Sequence, residues 1–486
     1  MKLNELILGL SQAEKRYFSR LSAFQKLSKT NYMELFLSYK KKKKEEKVQK
    51  LFGSGYSAQL KQQLKNKVLE SLRLFHRKSI PFNKENELIQ NAFILRNRGY
   101  WSEAKKALQS AKKKSSDHGV SMACYSEMAF VQSRLSTNGI EQLLEVWDFE
   151  VEQKLSSQRI ILKMDRKYLE ISLLNKQIES ARKPIHKKLL NAYVSNLESL
   201  KNEAHSSAYS LLYYHYNFGL SNYLLGNIEL SYLSNNAIYK LILSNSDLLN
   251  LREDLVLRAM ANRVLCSVGI GNFVLAKTHL KELEAMPVQP SFYINYKHYL
   301  IYVLELIIFS KTANYSNGIK AFQKYKQQKM DFVSTVDIDT FIYQEAIYET
   351  FYYATCLYKT GSIKAAIRLM FEFVSLKKNI AKKDAYSAAR FFYLVLLIEL
   401  NDDELIYAEL RSIERFLKTQ ELFFGVEKIL LQFVKALMIK NTVYQIRSHY
   451  HVLVKDLEKL KEDPFESNAF SYFDFLAWAK EKIASL

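Results

Sequence analysis

The side chains that could do chemistry are few, and their spacing matches no catalytic or metal site. His449 and His451 are the only close histidine pair, and residues two apart point to different faces of a helix, so shared metal ligation is not expected. Cys124, Cys266 and Cys356 are far apart and form no C-x-x-C motif, which gives no support to a zinc site or a redox motif. The sequence therefore predicts a protein that is not an enzyme and that holds no cofactor and no metal.

Basic side chains concentrate near the start of the chain. Residues 1–80 hold 19 Lys and Arg against six Asp and Glu, which supplies more than half of the net charge of +21. Lysine and arginine neutralise phosphates, and glutamine or asparagine can hydrogen-bond adenine edges. The candidate nucleic-acid contacts are Lys41, Lys42, Lys43, Lys61, Gln62, Lys65, Asn66 and Arg73. The alternatives are a solvated basic surface and, ranked last, attachment of residues 40–44 to an anionic membrane surface.

The elements that would position these side chains are short helices. Ser11 and Glu14 have the spacing of a capping box at a helix start. From Ser57 onward, Leu60, Leu64 and Val68 fall on one apolar stripe of a longer helix. A short helix, a glycine turn and a longer basic helix resemble a helix-turn-helix. We therefore predict a basic N-terminal helical domain over residues 1–80, with a docking cap on the rest of the chain as the alternative.

Turn signals recur along the rest of the chain at spacings of 40 to 48 residues. A sustained period of this size is typical of stacked helix pairs, each of which covers the apolar face of its neighbour. Only 13 glycines and five prolines occur in 486 residues, which also favours helices. The predicted turns lie at Gly99, Gly139, Lys183 and Pro184, Gly226, Gly271, Ala313, Gly361, Asn401 and Asn441. The sequence predicts an all-α solenoid over residues 85–463 and a C-terminal capping helix over residues 464–486.

The repeated units resemble tetratricopeptide repeats. One unit supplies Ala354, Gly361, Ala366 and Met370 at the small, glycine, alanine and large-apolar positions of that family. The period is longer than the family's value of about 34, so the resemblance is to divergent repeats with longer helices. Residues 10–18 also resemble the start of uncharacterised bacterial proteins with such repeats. The resemblance implies a right-handed α-α solenoid of about eight or nine helix pairs.

The same resemblance implies that the first helix of each pair lines a concave groove. Carried over, its spacing predicts groove positions at Arg96, Tyr213, Tyr216, Tyr223, Lys311, Tyr348, Tyr358 and Lys359. Tyrosines with a few cations suit a bound protein segment, because large rigid side chains lose little entropy on binding. Packing of these tyrosines between neighbouring pairs is the alternative. The predicted function is a non-catalytic scaffold that binds a protein or peptide partner; the alternative is a nucleic-acid-binding regulator with the solenoid as its sensor.

No apolar run in the sequence is long enough to span a bilayer, and residues 1–10 lack the apolar region and the cleavage site that a signal peptide needs. We therefore expect no transmembrane segment and a cytoplasmic location. No pattern indicates a small-molecule substrate. A groove that is closed, or filled by side chains of the chain itself, would count against the predicted scaffold function.

Overall fold

The computed structural model describes a chain built from α-helices. It describes residues 3–24, 30–41, 52, 58–77, 83–114, 124, 127–128, 131, 140–178, 181–245, 248, 252–288, 291–329, 343–375, 383–439, 442–461, 463, 466, 469–470 and 472–486. Within these ranges there are 22 helices and no β-strand. The all-α prediction is confirmed for this part of the chain.

The chain divides into two compact units. Unit 1 comprises Met1–Leu162 and Gln328–Ile338, and unit 2 comprises Lys163–Gln327 and Asp339–Leu486. The predicted domain boundaries at residues 80 and 463 stay predictions. Six helices lie in unit 1, namely α1 Leu3–Gly9, α2 Gln12–Phe24, α3 Asn31–Lys40, α4 Ala58–Phe75, α5 Asn83–Asn97 and α6 Trp101–Lys114. Helix α7, Ile140–Ile178, begins in unit 1 and ends in unit 2.

Unit 2 continues as a series of helices that pack mainly against their neighbours in the chain. They are α8 Pro184–Ser199, α9 Lys201–Ala204, α10 Ala208–Leu225, α11 Ile228–Ser244, α12 Glu253–Gly269, α13 Phe273–Ala285, α14 Ser291–Lys311, α15 Tyr315–Lys329, α16 Tyr343–Lys359, α17 Ile363–Ser375, α18 Lys383–Leu400, α19 Asp403–Gln420, α20 Gly425–Leu437, α21 Val443–Lys461 and α22 Phe475–Ser485. We call α10, α12, α14, α16, α18 and α20 the first helices. The second helices are α11, α13, α15, α17, α19 and α21.

The described turns follow the predicted positions. Gly226, Gly271 and Gly361 end first helices of unit 2 with positive φ angles, as does Gly99 after α5 in unit 1. The turn after α14 has Ala313 at φ 56, and Asn401 after α18 has the same angle. A left-handed residue ends a helix because its backbone turns the chain back while bonding the last carbonyls. Two further predicted turn residues, Gly139 and Asn441, lie outside the described residues.

One interval departs from the expected repeat. A period of 40 to 48 residues implies two helices between residues 139 and 184. The structure instead has the single 39-residue helix α7. No glycine or proline occurs between Ile140 and Ile178, so nothing in the backbone interrupts the helix there. Pro184 then begins α8 at the first helical position, where its missing N–H is not needed.

The two sets of helices in unit 2 differ in how they are buried. First helix α12 buries consecutive residues, including Leu255, Val256 and Leu257, so protein surrounds it on all sides. Second helix α19 buries Ile406 and Leu410 with the three- and four-residue spacing of an amphipathic helix. The first helices α10, α14, α16 and α18 are likewise buried over most of their described length and form the inner layer of unit 2 with α12, whereas α20 exposes Lys428 and Lys435 on one face. The second helices form the outer layer.

In unit 1, four helices share one apolar core and two others share a second. Ile7 of α1, Phe18 of α2, Phe36 of α3 and Leu64 of α4 belong to the first core, and α5 and α6 supply the other. The capping box before α2 is confirmed. The N–H of Ser11 donates to Glu14 Oε2 at 2.6 Å, and the N–H of Glu14 donates to Ser11 Oγ at 3.2 Å.

Candidate functional site

The predicted groove residue of unit 1 is held by its own neighbours. The Arg96 guanidinium pairs with Glu127 and lies 4.5 Å from the centre of the Phe93 ring. The carboxylate of Glu127 pairs with the charge of the guanidinium, and the Phe93 ring packs against its flat face. In unit 1, the structure thus gives Arg96 a packing role in the last turn of α5.

Two predicted groove tyrosines lie in the core of unit 2. Tyr213 is fully buried and Tyr216 is 4% exposed. The ring of Tyr213 meets Tyr168 edge-on with centroids 5.8 Å apart, and the Arg252 guanidinium lies 5.0 Å from its centre. Neither ring is accessible to a partner in this structure. Packing between helices, the alternative that the sequence left open, describes these two positions.

Tyr223 has a different environment. Its side chain is 42% exposed, yet burial raises the pKa of its hydroxyl, and nearby Tyr348, Cys266 and Tyr352 raise it further. Tyr223 lies on α10, Cys266 on α12, and both other tyrosines on α16, so groups from three first helices meet here. The Tyr223 side chain is thus partly open to solvent beside groups of α12 and α16. Tyr223 therefore marks an accessible part of the inner side of unit 2.

Two other predicted groove residues contact the C-terminal segment, which we define as residues 472–486. Tyr348 stacks on Tyr472 with ring centroids 6.2 Å apart and planes 11° from parallel. Lys359 Nζ lies 2.6 Å from Glu481 Oε2. Both belong to first helix α16. The predicted face thus has the expected tyrosine and cation chemistry, but the chain itself covers much of it.

A carboxylate at the end of α18 joins several of these side chains. Glu399 Oε1 accepts hydrogen bonds from Tyr358 Oη at 3.1 Å and from Trp478 Nε1 at 2.8 Å. Glu399 Oε2 accepts one from Lys482 Nζ at 2.5 Å. The predicted groove residue Tyr358 is therefore part of a network that fixes α22 against α18.

Lys311 is the last predicted groove residue, and it ends α14. Burial lowers the pKa of its ammonium, while the negative charge of Asp474 opposes this effect. Asp474 also begins α22, because its carboxylate accepts the N–H of Ala477 at 2.8 Å. Lys311 is thus a cation of the inner side placed near the start of the C-terminal segment.

The burial of α22 decides whether the C-terminal segment could leave. Phe475, Leu476 and Trp478 are at most 7% exposed. Burying such side chains stabilises by about 1.5–3 kcal/mol each, or roughly 5–9 kcal/mol together. If release of the C-terminal segment cost 5 kcal/mol, about one molecule in 5,000 would have the segment released. A partner that bound only this form would lose affinity by the same factor. The segment is therefore part of the core of unit 2, and only the surface that it leaves uncovered can bind a partner.

Sequence reasoning missed an ionic cluster on the inner side of unit 2. Arg182, just before α8, donates to both oxygens of Glu427 at 2.7 and 2.8 Å and to Glu466 Oε2 at 2.6 Å. Its guanidinium lies 4.2 Å from the Phe424 ring centre, and Asp384 Oδ1 is 3.9 Å from Nη1. All four charged residues are less than a tenth exposed. We call these four residues the Arg182 cluster.

The cluster joins distant parts of the chain, which explains why the sequence did not reveal it. Arg182 and Glu427 are 245 positions apart, and Arg182 and Glu466 are 284 apart. Burial lowers the pKa of the Arg182 guanidinium, but the surrounding carboxylates outweigh this effect and raise it. Burial raises the pKa of the Glu427 carboxyl, against the attraction of Arg182. The segment just before α8 therefore meets α18 and α20 of unit 2 through buried charges.

The basic candidates of unit 1 divide into exposed and half-buried side chains. Gln62, Asn66 and Arg73 are exposed on α4, whereas Lys61 and Lys65 are half-buried. The exposed Lys41 follows α3, while Lys42 and Lys43 lie outside the described residues. Gln62 Nε2 donates to Asn66 Oδ1 at 3.0 Å, and these amides form the outer face of α4 together with Arg73.

Other sites have no support in the described ranges. There, no group of three or more histidine, cysteine or acidic side chains is placed to hold a metal ion. None of the described helices combines the length and apolarity needed to cross a membrane. Neither a protein-family model, nor a curated protein, nor a solved structure matches the chain. The resemblance to tetratricopeptide repeats stays a prediction.

Proposed function

We propose that the chain is a non-catalytic scaffold, and that the inner side of its first helices binds a segment of a partner protein. The observation that carries the proposal is that Tyr223 is 42% exposed beside Tyr348 of α16. Half-buried Tyr348 faces the same place from α16. An exposed tyrosine with a second, half-buried one beside it suits a protein segment, because tyrosines bring large contact areas at a small entropy cost.

The C-terminal segment restricts where that partner can lie. The C-terminal segment occupies the region near Lys359 and Tyr358, which counts against a groove that is open along the whole array. The proposed surface is therefore limited to the part nearer Tyr223. The buried rings of Tyr213 and Tyr216 would support α10 from beneath and make its exposed side rigid. As the repeat resemblance implies, the proposal includes a right-handed course of helix pairs. It also includes the basic N-terminal helical domain and the cytoplasmic location expected from the sequence.

Photo-crosslinking inside cells tests this proposal. A photo-reactive phenylalanine analogue replaces Tyr223 or Tyr348 on the inner side, and Tyr444, 84% exposed on α21, serves as the outer control. The proposal predicts the same discrete protein adduct from both inner positions and its absence from position 444. Adducts that are equally strong at position 444, or no adduct at either inner position, would refute binding at the inner side.

The outer face of α4 favours a second function, nucleic-acid binding by unit 1. Gln62, Asn66 and Arg73 are exposed there, and the acidic residue Glu70 is paired with Lys67 at 2.9 Å. Amides and a cation on one helix face can contact base edges and phosphates. In this function the helical array of unit 2 would sense a partner.

Duplex DNA and RNA binding across a salt series tests the second function. We expect a salt-dependent affinity that falls when Gln62, Asn66 and Arg73 are together replaced by alanine. The control replaces Lys364 and Arg368, two exposed cations of α17 in unit 2. Equal loss in both variants would show that the binding is general charge attraction and would remove this function.

A further inference from the structure

Unit 2 has an exposed apolar patch on α8 and on the part of α7 that belongs to this unit. Its four aliphatic side chains are Leu169 and Leu173 of α7 and Ile185 and Leu189 of α8, each between 47% and 66% exposed. Single exposed leucines are ordinary on a protein surface, but several together mark a contact with another molecule. We call these four side chains the α7–α8 face.

The leucines of α7 point away from the core of unit 2. Ile171 is fully buried, and Leu169 and Leu173 lie two positions before it and two after it. At 3.6 residues per turn, both leucines therefore project from the opposite side of the helix. On the core side, Asn217 Nδ2 of α10 donates to the carbonyl of Met164 at 3.3 Å. Helix α10 thus contacts one side of α7, and the leucines lie on the other.

The exposed side chains of α8 lie at the same level as those of α7. A short connection joins the two helices, and Tyr193 Oη of α8 donates to the carbonyl of Lys167 at 2.8 Å, so they run in opposite directions. From this contact, Leu173 lies about 9 Å along α7 toward the connection. Ile185 and Leu189 lie about 12 and 6 Å from it in the same direction along α8. The two helices therefore contribute to one continuous patch.

Positive charge predominates at the border of the α7–α8 face. Arg166 and Lys188 each lie within one helical turn of an exposed leucine, and both are exposed. Arg166 at 3.1 Å and Lys167 at 2.7 Å share the single carboxylate of Glu170. The other acid of α7 in unit 2, Asp165, is half-buried and interacts with a cation before α12. The first half of α8 has two lysines and no acid, so the patch is apolar with a basic border.

We propose that the α7–α8 face binds a helix of a partner protein whose apolar stripe is bordered by aspartate and glutamate. Aliphatic side chains one turn apart on two adjacent helices form a surface that the apolar stripe of an amphipathic helix can cover, and acidic borders match the cations. A second copy of the chain fits less well, because a two-fold contact would place the basic border against itself. This site is separate from the inner side of the first helices, and neither proposal depends on the other.

Two labelled synthetic peptides test the chemistry of the partner. Both form amphipathic helices with leucines on one stripe; glutamates border the stripe in the acidic peptide, and lysines replace them in the basic one. Fluorescence anisotropy with the full chain measures both affinities. We expect the acidic peptide to bind about tenfold or more tightly than the basic one, because its borders match the cations.

Uncharged variants separate the α7–α8 face from the general attraction of a basic chain for an acidic peptide. Leu169→Gln combined with Leu173→Gln changes no charge and should weaken binding about tenfold or more, because two aliphatic contacts are lost. The matched control is Leu233→Gln combined with Val274→Gln, which replaces aliphatic side chains of α11 and α13 that are 60% and 79% exposed. The control should bind the acidic peptide as the wild type does.

Charge reversal tests the basic border. Arg166→Glu combined with Lys188→Glu should shift the preference of the full chain toward the basic peptide. Binding of neither peptide, or equal affinity of the leucine variant and the wild type for the acidic peptide, overturns the proposal. A wild-type dimer in analytical ultracentrifugation that the leucine variant abolishes also overturns it, since the face would then bind a second copy. Acidic-peptide binding that persists in the leucine variant would leave the proposed function of the inner side intact.

Discussion

Replacing Trp478 tests whether α22 belongs to the core of unit 2. Its side chain is 1% exposed, and its ring meets Phe433 and Tyr450 edge-on at centroid distances of 6.0 and 5.5 Å. Its Nε1 donates to Glu399 at 2.8 Å. The residue therefore contributes both apolar burial and one hydrogen bond to a charged acceptor.

These contacts set the expected magnitudes. Trp478→Ala removes the whole ring, and such changes in a packed core cost about 3–5 kcal/mol. Trp478→Phe keeps much of the apolar contact and loses the indole N–H. Hydrogen bonds to charged groups contribute about 1.5–3 kcal/mol, but Glu399 keeps its bonds from Tyr358 and Lys482. We therefore expect Trp478→Phe to cost about half as much as Trp478→Ala or less.

Urea unfolding followed by the helical circular-dichroism signal measures both variants. The matched control is Tyr444→Ala, which removes an aromatic ring that is 84% exposed and should change the free energy of unfolding by less than about 0.5 kcal/mol. If Trp478→Ala cost no more than this control, α22 would not be part of the core. The argument that the C-terminal segment cannot leave would then fail.

Three further predictions concern buried charge, turns and acid. Arg182→Ala leaves buried carboxylates without their cation and should lower the free energy of unfolding by about 3–5 kcal/mol, measured in urea; a loss below 1 kcal/mol would contradict it. Gly361→Ala introduces a side chain at φ +84 and should lower the free energy of unfolding by about 1 kcal/mol. Ala313→Gly, at φ 56, should not lower it. Thermal melts of both variants measure this difference, and equal changes in melting temperature would contradict the role of a left-handed residue at these turns. Burial raises the pKa of Glu14, but hydrogen bonds with His76 and with Ser11 outweigh it and lower the pKa. The contribution of Glu14 to stability is therefore present above the ordinary carboxyl pKa and is lost as the pH falls through the lowered value. Glu14→Gln should therefore flatten the acid side of a plot of unfolding free energy against pH. An unchanged plot would contradict this prediction.

Local signals in the sequence predicted the turns well. A glycine at a helix end or a capping box depends on residues within a few positions, as at Gly361 and Ser11. Even the non-glycine turns at Ala313 and Asn401 followed from the repeat spacing. The long helix α7 was not predicted, because the repeat period was assumed to continue through residues 140–178. That interval contains no glycine or proline to end a helix.

The inner side of unit 2 was less predictable. Tyr213 and Tyr223 have the same residue type and lie on the same helix, yet one is fully buried and the other is 42% exposed. Which side of the helix faces solvent depends on how far the array curves, and that is set by packing over hundreds of residues. The Arg182 cluster was invisible for the same reason, since its partners are separated by more than 200 positions.

Zero-length carbodiimide cross-linking of the full chain tests the closure of unit 2 most directly. This reagent joins amines to carboxylates in direct contact, as in the pairs Lys359 with Glu481 at 2.6 Å and Lys183 with Glu421 at 3.1 Å. The neighbouring pair of Lys418 and Glu414 at 3.2 Å on α19 is the internal control. We expect mass spectrometry to find peptides joined through both long-range pairs. A control link without either long-range link would show that the C-terminal segment and the start of α8 do not close the inner side.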